Sequence, residues 1–150
     1  MRLATFTLFT DTIRVSKIVT TPIQRGFMAL IQIIEDSSFQ RKFISNILER
    51  AGHRVIQAEN GKVGLEKLES NNPQVIFCDL LMPEMDGFEF LEALRAKGNN
   101  LPVVILTSDI QVTSKSRCLD LGANYFVNKP PNEKEILEVL DKILDEENKS

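Results

Sequence analysis

Four apolar residues without alternation, Val75, Ile76, Phe77 and Cys78, run straight into an acid, Asp79, and then into a loop holding Pro83 and an Asp86-Gly87 turn. Strict alternation of apolar and polar residues marks a strand with one face in water. An unbroken apolar run marks one buried on both faces, as happens where helices cover a parallel sheet. Such a strand delivers its last side chain to the carboxyl edge of the sheet, where open α/β sheets bind their ligands. Whether Asp79 is a reactive group or an ordinary polar strand end depends on what else reaches that edge.

From Ala29 onward the chain repeats one pattern. Leu30 to Ile34 is a largely apolar first strand ending in Glu35-Asp36. Ser37, with Gln40 three residues on, predicts a capping box for the helix that follows. In that helix Phe39, Phe43, Ile47 and Ala51 recur at i+4 with Ile44 and Leu48 beside them. They predict the stripe facing the sheet, with Gln40, Arg41, Lys42, Asn46, Glu49 and Arg50 mostly outward. Gly52 supplies the stop. Residues 53–58 form a second strand, and Asn60-Gly61 opens a helix with Val63, Leu65 and Leu68. Gly64 within it costs about 1 kcal/mol against alanine, and close helix packing is one reason to keep it. After Gly87 a helix carries Phe88, Phe90, Leu91 and Leu94.

Residues 102–107 are a fourth buried strand, ending in the hydroxyls of Thr107 and Ser108. A helix over about residues 112–121 has few apolar anchors and is expected to be the least firmly packed. Residues 124–128 form a fifth strand ending in Lys129-Pro130-Pro131, and Asn132 with Glu135 caps a last helix whose inner face is Ile136, Leu137, Leu140, Ile143 and Leu144. Five strand-helix repeats specify an α/β fold: a doubly wound, five-stranded parallel sheet with right-handed crossovers, order 2-1-3-4-5.

A chain of 150 residues, 43% hydrophobic and 26% charged, is sized for one globular domain. The net charge of −3 is unevenly spread, because residues 1–28 carry Arg2, Arg14, Lys17 and Arg25 against Asp11 alone. The remainder is more acidic than the whole, which argues against a nucleic-acid partner. Residues 1–28 are read as an extension, with Met28 as an alternative start, and residues 29–150 as the domain. The extension lacks the apolar core and cleavage site of a secretory signal. Cys78 and Cys118 have no CxxC or histidine-rich company and are expected as free buried thiols in a reducing, cytoplasmic setting. A single histidine, His53, leaves no set for a zinc site of the usual kind. No apolar run has the roughly 18 residues of a membrane span, so no membrane partner is expected.

The topology gathers Glu35, Asp36, Asp79, Thr107, Ser108 and Lys129 at one edge. Three carboxylates in close range repel one another, and burial raises the cost of ionising them. A dication offsets that cost, and hard oxygen donors select magnesium. A lysine and a hydroxyl beside a carboxylate-metal site are what a phosphoryl group requires. The carboxylate on the central strand then serves as the nucleophile. Singly, each residue reads as a loop acid, a strand-end hydroxyl or a turn lysine. Their convergence on one chemistry favours the functional reading.

Asp36, Asp79 with Met82-Pro83 and Asp86-Gly87, Thr107-Ser108, Gly122-Ala123 and Lys129-Pro130 together give a chain that resembles the receiver domain of two-component response regulators, over about residues 29–147. The resemblance implies a flavodoxin-like three-layer sandwich, here as a stand-alone, chemotaxis-regulator-like signalling protein rather than an enzyme. It implies Asp79 as phosphoacceptor, Asp36 as a direct Mg2+ ligand, Glu35 as an indirect one through water, and the Leu81 backbone carbonyl as a further ligand. Thr107 and Lys129 are implied to contact the phosphoryl oxygens, the Lys129-Pro130 bond to be cis, and Thr107 and Phe126, rather than Tyr125, to form the switch. The implied partners are a histidine kinase or phosphotransfer protein and a separate downstream effector, with the chain a monomer or weak homodimer.

Two positions depart from the family pattern. Leu81, two after Asp79, has no polar side chain to orient an attacking water, whereas Asp109, two after Thr107, is acidic. Pro131 stands where receivers often carry phenylalanine. A phosphatase with an aspartyl nucleophile is the first rival, but it needs a second acid at the Leu81 position. A receiver-like module that no longer takes phosphate is the second, and it is disfavoured by the full set of acids, hydroxyl and lysine.

Overall fold

The computed structural model describes residues 27–109 and 111–150. Of the extension expected over residues 1–28, all but Phe27 and Met28 lie outside the described residues. Strand β1 (Leu30–Ile34) pairs in parallel with β2 (Arg54–Ala58) on one side and with the central strand β3 (Val75–Asp79) on the other. β4 (Val103–Thr107) and β5 (Tyr125–Asn128) extend the sheet from β3 in parallel register. The order is β2-β1-β3-β4-β5, as the run of strand-helix repeats predicts. Between and after the strands lie α1 (Ser38–Arg50), α2 (Gly61–Ser70), α3 (Gly87–Ala96), α4 (Val112–Asp120) and α5 (Glu133–Glu147).

Every residue of β3 and β4 is buried, which is why neither strand alternates in sequence. Their side chains still point alternately to two faces, and the core divides accordingly. Ile31, Ile33, Phe77, Val104 and Leu106 pack with Ile44, Ile47 and Leu48 of α1 and Ile136, Leu140 and Ile143 of α5. Ile34, Ile76, Cys78, Val103 and Ile105 pack on the other face with Phe90, Leu91 and Leu94 of α3 and Cys118 of α4. The result is a three-layer sandwich. Both cysteines are free and buried. Among the described residues no helix is long and apolar enough to cross a membrane.

Two local expectations change. In α1 the buried stripe is Ile44, Ser45, Ile47 and Leu48, while Phe39 is 81% and Phe43 40% exposed. Steps of four residues advance about 40° around a helix each time, so a run begun at Phe39 leaves the face that Ile47 occupies. The predicted Ser37–Gln40 box is half made: Ser37 Oγ accepts the Gln40 N–H at 3.3 Å, but the Ser37 N–H goes to Glu35 Oε1 at 3.1 Å. The reciprocal box stands instead at α3, where Asp86 Oδ1 accepts from Glu89 N and Glu89 Oε2 accepts from Asp86 N, both at 2.9 Å.

Gly64 has its packing reason. A β-carbon there would lie 2.5 Å from Ile34 Cδ1, and the fully buried Gln32 reaches across from β1 to donate Nε2 to the Gly64 carbonyl at 2.7 Å. As expected, α4 is lightly anchored, with Cys118 as its buried residue among those described.

Candidate functional site

Parallel pairing carries the strand ends to one edge in register. Glu35 continues the ladder past β1, its N–H on the Ala58 carbonyl at 3.0 Å, and Leu80 does the same past β3 on Leu106. Lys129 follows β5 with its N–H on the Thr107 carbonyl at 3.0 Å. Asp79 and Thr107 are the last residues of their strands, and both are buried.

The structure brings Glu35, Asp36 and Asp79 together, with one carboxylate oxygen from each lying within 4.8 Å of the others. Glu35 and Asp79 are buried and Asp36 is exposed. Lys129 closes the group: its Nζ lies 2.8 Å from Glu35 Oε2 and 3.0 Å from Asp79 Oδ2. The other Glu35 oxygen holds the Ser37 N–H. Arg41 donates Nη1 to the Glu35 carbonyl at 2.6 Å, tying α1 to the turn that carries both acids. Burial pushes the Glu35 carboxyl up to about 7, against the pull of Lys129 and with the charge of Asp79 adding to the rise. Burial also raises Asp79, again opposed by Lys129. For Lys129 burial acts to lower the ammonium, but the hydrogen bonds to Glu35 and Asp79 outweigh it and the net direction is up.

One ammonium thus serves two buried carboxylates, with Asp36 beside them, and burial rather than any shortage of partners leads the upward shift of both buried acids. Oxygen donors from three carboxylates, two of them buried, suit a hard dication. Asp36, being exposed, puts one side of the group in contact with solvent.

Thr107 Oγ1 accepts the N–H of Asp109 at 2.9 Å. Leu81 sits in the turn after β3 with its side chain 64% exposed. Tyr125 and Phe126 divide between the two faces of β5. Phe126 packs on the α3–α4 side with Lys115 Nζ 5.8 Å from its ring centre. Tyr125 packs on the α1–α5 side with its hydroxyl 2.8 and 2.9 Å from the two carboxylate oxygens of Glu146. The Lys129–Pro130 peptide is cis.

Two contacts at the site escaped the sequence reading. Gly87 lies against the strand end, where a β-carbon would meet the Asp79 carbonyl oxygen at 2.7 Å and Leu80 Cα at 2.9 Å. The Asp-Gly pair signals a turn but not its contact. Arg41 looked like one more outward charge on α1, and nothing in its spacing marks the carbonyl it holds.

The family model described as the response regulator receiver domain matches residues 31–141. Protein PilH of Pseudomonas aeruginosa is 33% identical over 119 residues, covering 78% of this chain and 98% of that protein. The chain is also 37% identical over 117 residues to histidine kinase P4 of Formosa agariphila, of whose length it spans 8%. Among solved structures, the chemotaxis protein CheY4 of Vibrio cholerae superposes with a TM-score of 0.75 at 31% identity, over 78% of this chain and 99% of that one.

Proposed function

This chain belongs to the response regulator receiver domain family of two-component phosphorelay signalling, and from that membership we propose that it takes a phosphoryl group onto Asp79 and signals by the conformational change that follows. The observation that carries the reading is Lys129 Nζ held between Glu35 and Asp79 at the sheet edge. An ammonium so placed leaves Asp79 able to act as a nucleophile and remains beside the group it acquires.

A histidine kinase or phosphotransfer protein is the donor in this reading. An Asp79 carboxylate oxygen attacks phosphorus in line with the histidine nitrogen; the O–P bond forms as the N–P bond breaks, and the leaving imidazole nitrogen keeps the electron pair and then takes a proton from water. Glu35, Asp36, Asp79 and the Leu81 carbonyl would hold magnesium, which when bound neutralises charge on the transferring oxygens. Lys129 exchanges part of its contact with the acids for a phosphoryl oxygen. Thr107 donates its hydroxyl to another, and its inward turn opens space for Phe126. That exchange shifts an inactive-active equilibrium and alters the face formed by α4, β5 and α5. A separate effector reads that face. The protein is a phosphoacceptor in the cytoplasm rather than an enzyme with a released product, and its free thiols are consistent with a reducing compartment.

Incubation with acetyl phosphate and magnesium, followed by intact mass, tests this. One phosphoryl adduct is expected, absent in Asp79→Asn and suppressed by a chelator. Rapid release of phosphate from simple esters without an adduct would support a hydrolase instead, and an unmodified wild-type protein would sink the proposal.

A further inference from the structure

The Thr107 hydroxyl, assigned above to an incoming phosphoryl oxygen, already has a partner in the Asp109 N–H. Asp109 is in turn tied forward: Oδ1 accepts the Gln111 N–H at 2.8 Å and Oδ2 accepts the Ser114 hydroxyl at 2.5 Å. These bonds, Ser114 first and Gln111 second, hold its carboxyl below the ordinary range, so it is ionised at neutral pH and both bonds are charge-assisted. Among the described residues the start of α4 has little other support. Gln111 at the N-cap makes no side-chain capping bond, and Cys118, in the second half of the helix, is its buried residue. The Asp109 carboxylate does the work of the missing cap, with its charge at the end of the helix that favours an anion.

A hydroxyl that accepts from the N–H two residues on is turned toward its own loop. Swinging it toward Asp79 either strands the Asp109 N–H or pulls Asp109 with it, and the second course strains the bonds to Gln111 and Ser114. We propose that Asp109 is a positioning residue that sets how readily Asp79 acquires a phosphoryl group: its bonds to Gln111 and Ser114 fix the segment whose N–H occupies the Thr107 hydroxyl, and so hold the domain in the form described here. The proposal rests on the phosphoacceptor reading. It assigns Asp109 a different part from orienting the attacking water, because both carboxylate oxygens are engaged toward α4.

Beryllofluoride, which mimics a phosphoryl group on a carboxylate, reports the equilibrium without turnover. Its affinity in the presence of magnesium is measured by fluorine NMR for the wild type, Asp109→Ala, Ser114→Ala, the double variant and Ser114→Thr, with thermal melts as a check on folding. Each alanine variant is expected to bind about three- to tenfold more tightly. The double variant gains no more than Asp109→Ala alone, since both remove one device, and Ser114→Thr, which keeps the hydroxyl, behaves as wild type. A loss of fold stability by itself does not tighten binding, so the gain separates positioning from a merely structural role. Ser114→Ala with wild-type affinity, additive effects in the double variant, or weaker binding in either single variant overturns the proposal. Wild-type protein that binds no beryllofluoride overturns the phosphoacceptor reading itself and the role of Asp109 with it.

Discussion

Gly87 has no room for a side chain, and the atoms that exclude one, the Asp79 carbonyl oxygen and Leu80 Cα, are backbone. Flexible side chains yield to a new methyl group; a strand end in register with its neighbours does not. The Gly87 N–H also donates to the Leu80 carbonyl at 2.8 Å, so the start of α3 is fastened to the segment that presents Asp79. Gly87→Ala is therefore expected to cost about 1–3 kcal/mol of stability, in the range of overpacked interiors, read from the denaturant midpoint. An unchanged midpoint would mean that the turn relaxes freely and that the close approach is incidental. Lys129 shows the complementary economy of the site. A single ammonium is the partner of two buried carboxylates, and removing it leaves like charges facing one another with nothing between them.

At the scale of elements, α1 separates what sequence reveals from what it hides. Its existence and its ends were legible, because Ser37 and Gly52 punctuate an apolar periodic run. Its buried face was legible in part: Ile44, Ile47 and Leu48 were placed on it and are buried, whereas Phe39 and Phe43, grouped with them by i+4 spacing, are exposed because such steps drift off a face set by 3.6 residues per turn. The strands were easier. β3 and β4 are apolar throughout because both faces are covered, and a run without alternation admits one place in a parallel sheet. Gln32 and Arg41 were illegible for a different reason: what each contacts lies on a separate element or on main chain, and periodicity carries no trace of it. The α1 assignment is open to a direct test. Ile44→Ala is expected to cost about 2–5 kcal/mol through lost burial and the cavity left behind, whereas Phe39→Ser stays within about 0.5 kcal/mol, as exposed substitutions do. Equal costs in denaturant unfolding would place Phe39 back in the core.

Across the whole molecule, the edge that holds Glu35, Asp79, Thr107 and Lys129 was legible because each residue follows or ends a buried strand and the topology fixes where those ends meet. The opposite edge was not legible, and it carries the clearest dependence on pH. His53 Nδ1 accepts the Ala29 N–H at 3.2 Å, joining the turn after α1 to the start of β1. Burial lowers the imidazole, with the charge of Asp141 working against that shift. A base with a lowered folded-state value favours the neutral form in the native protein, and here protonation of Nδ1 also turns the acceptor into a donor facing an N–H. The contribution of His53 is therefore fully present above the unfolded value of 6.5 and is lost as pH falls through it toward the lower folded one. Glu35 has the opposite sign, since an acid raised on folding contributes below its unfolded value and loses that contribution as pH rises toward about 7. Comparing wild type with His53→Asn at each pH cancels Glu35, which both proteins share. Asparagine keeps an acceptor oxygen without titrating. The stability of the wild type relative to this variant is expected to be greater at about pH 7.5 than at about pH 5.5, measured by urea unfolding without magnesium. A difference that is constant across that interval, or larger on the acid side, would show that His53 is not held neutral by the fold.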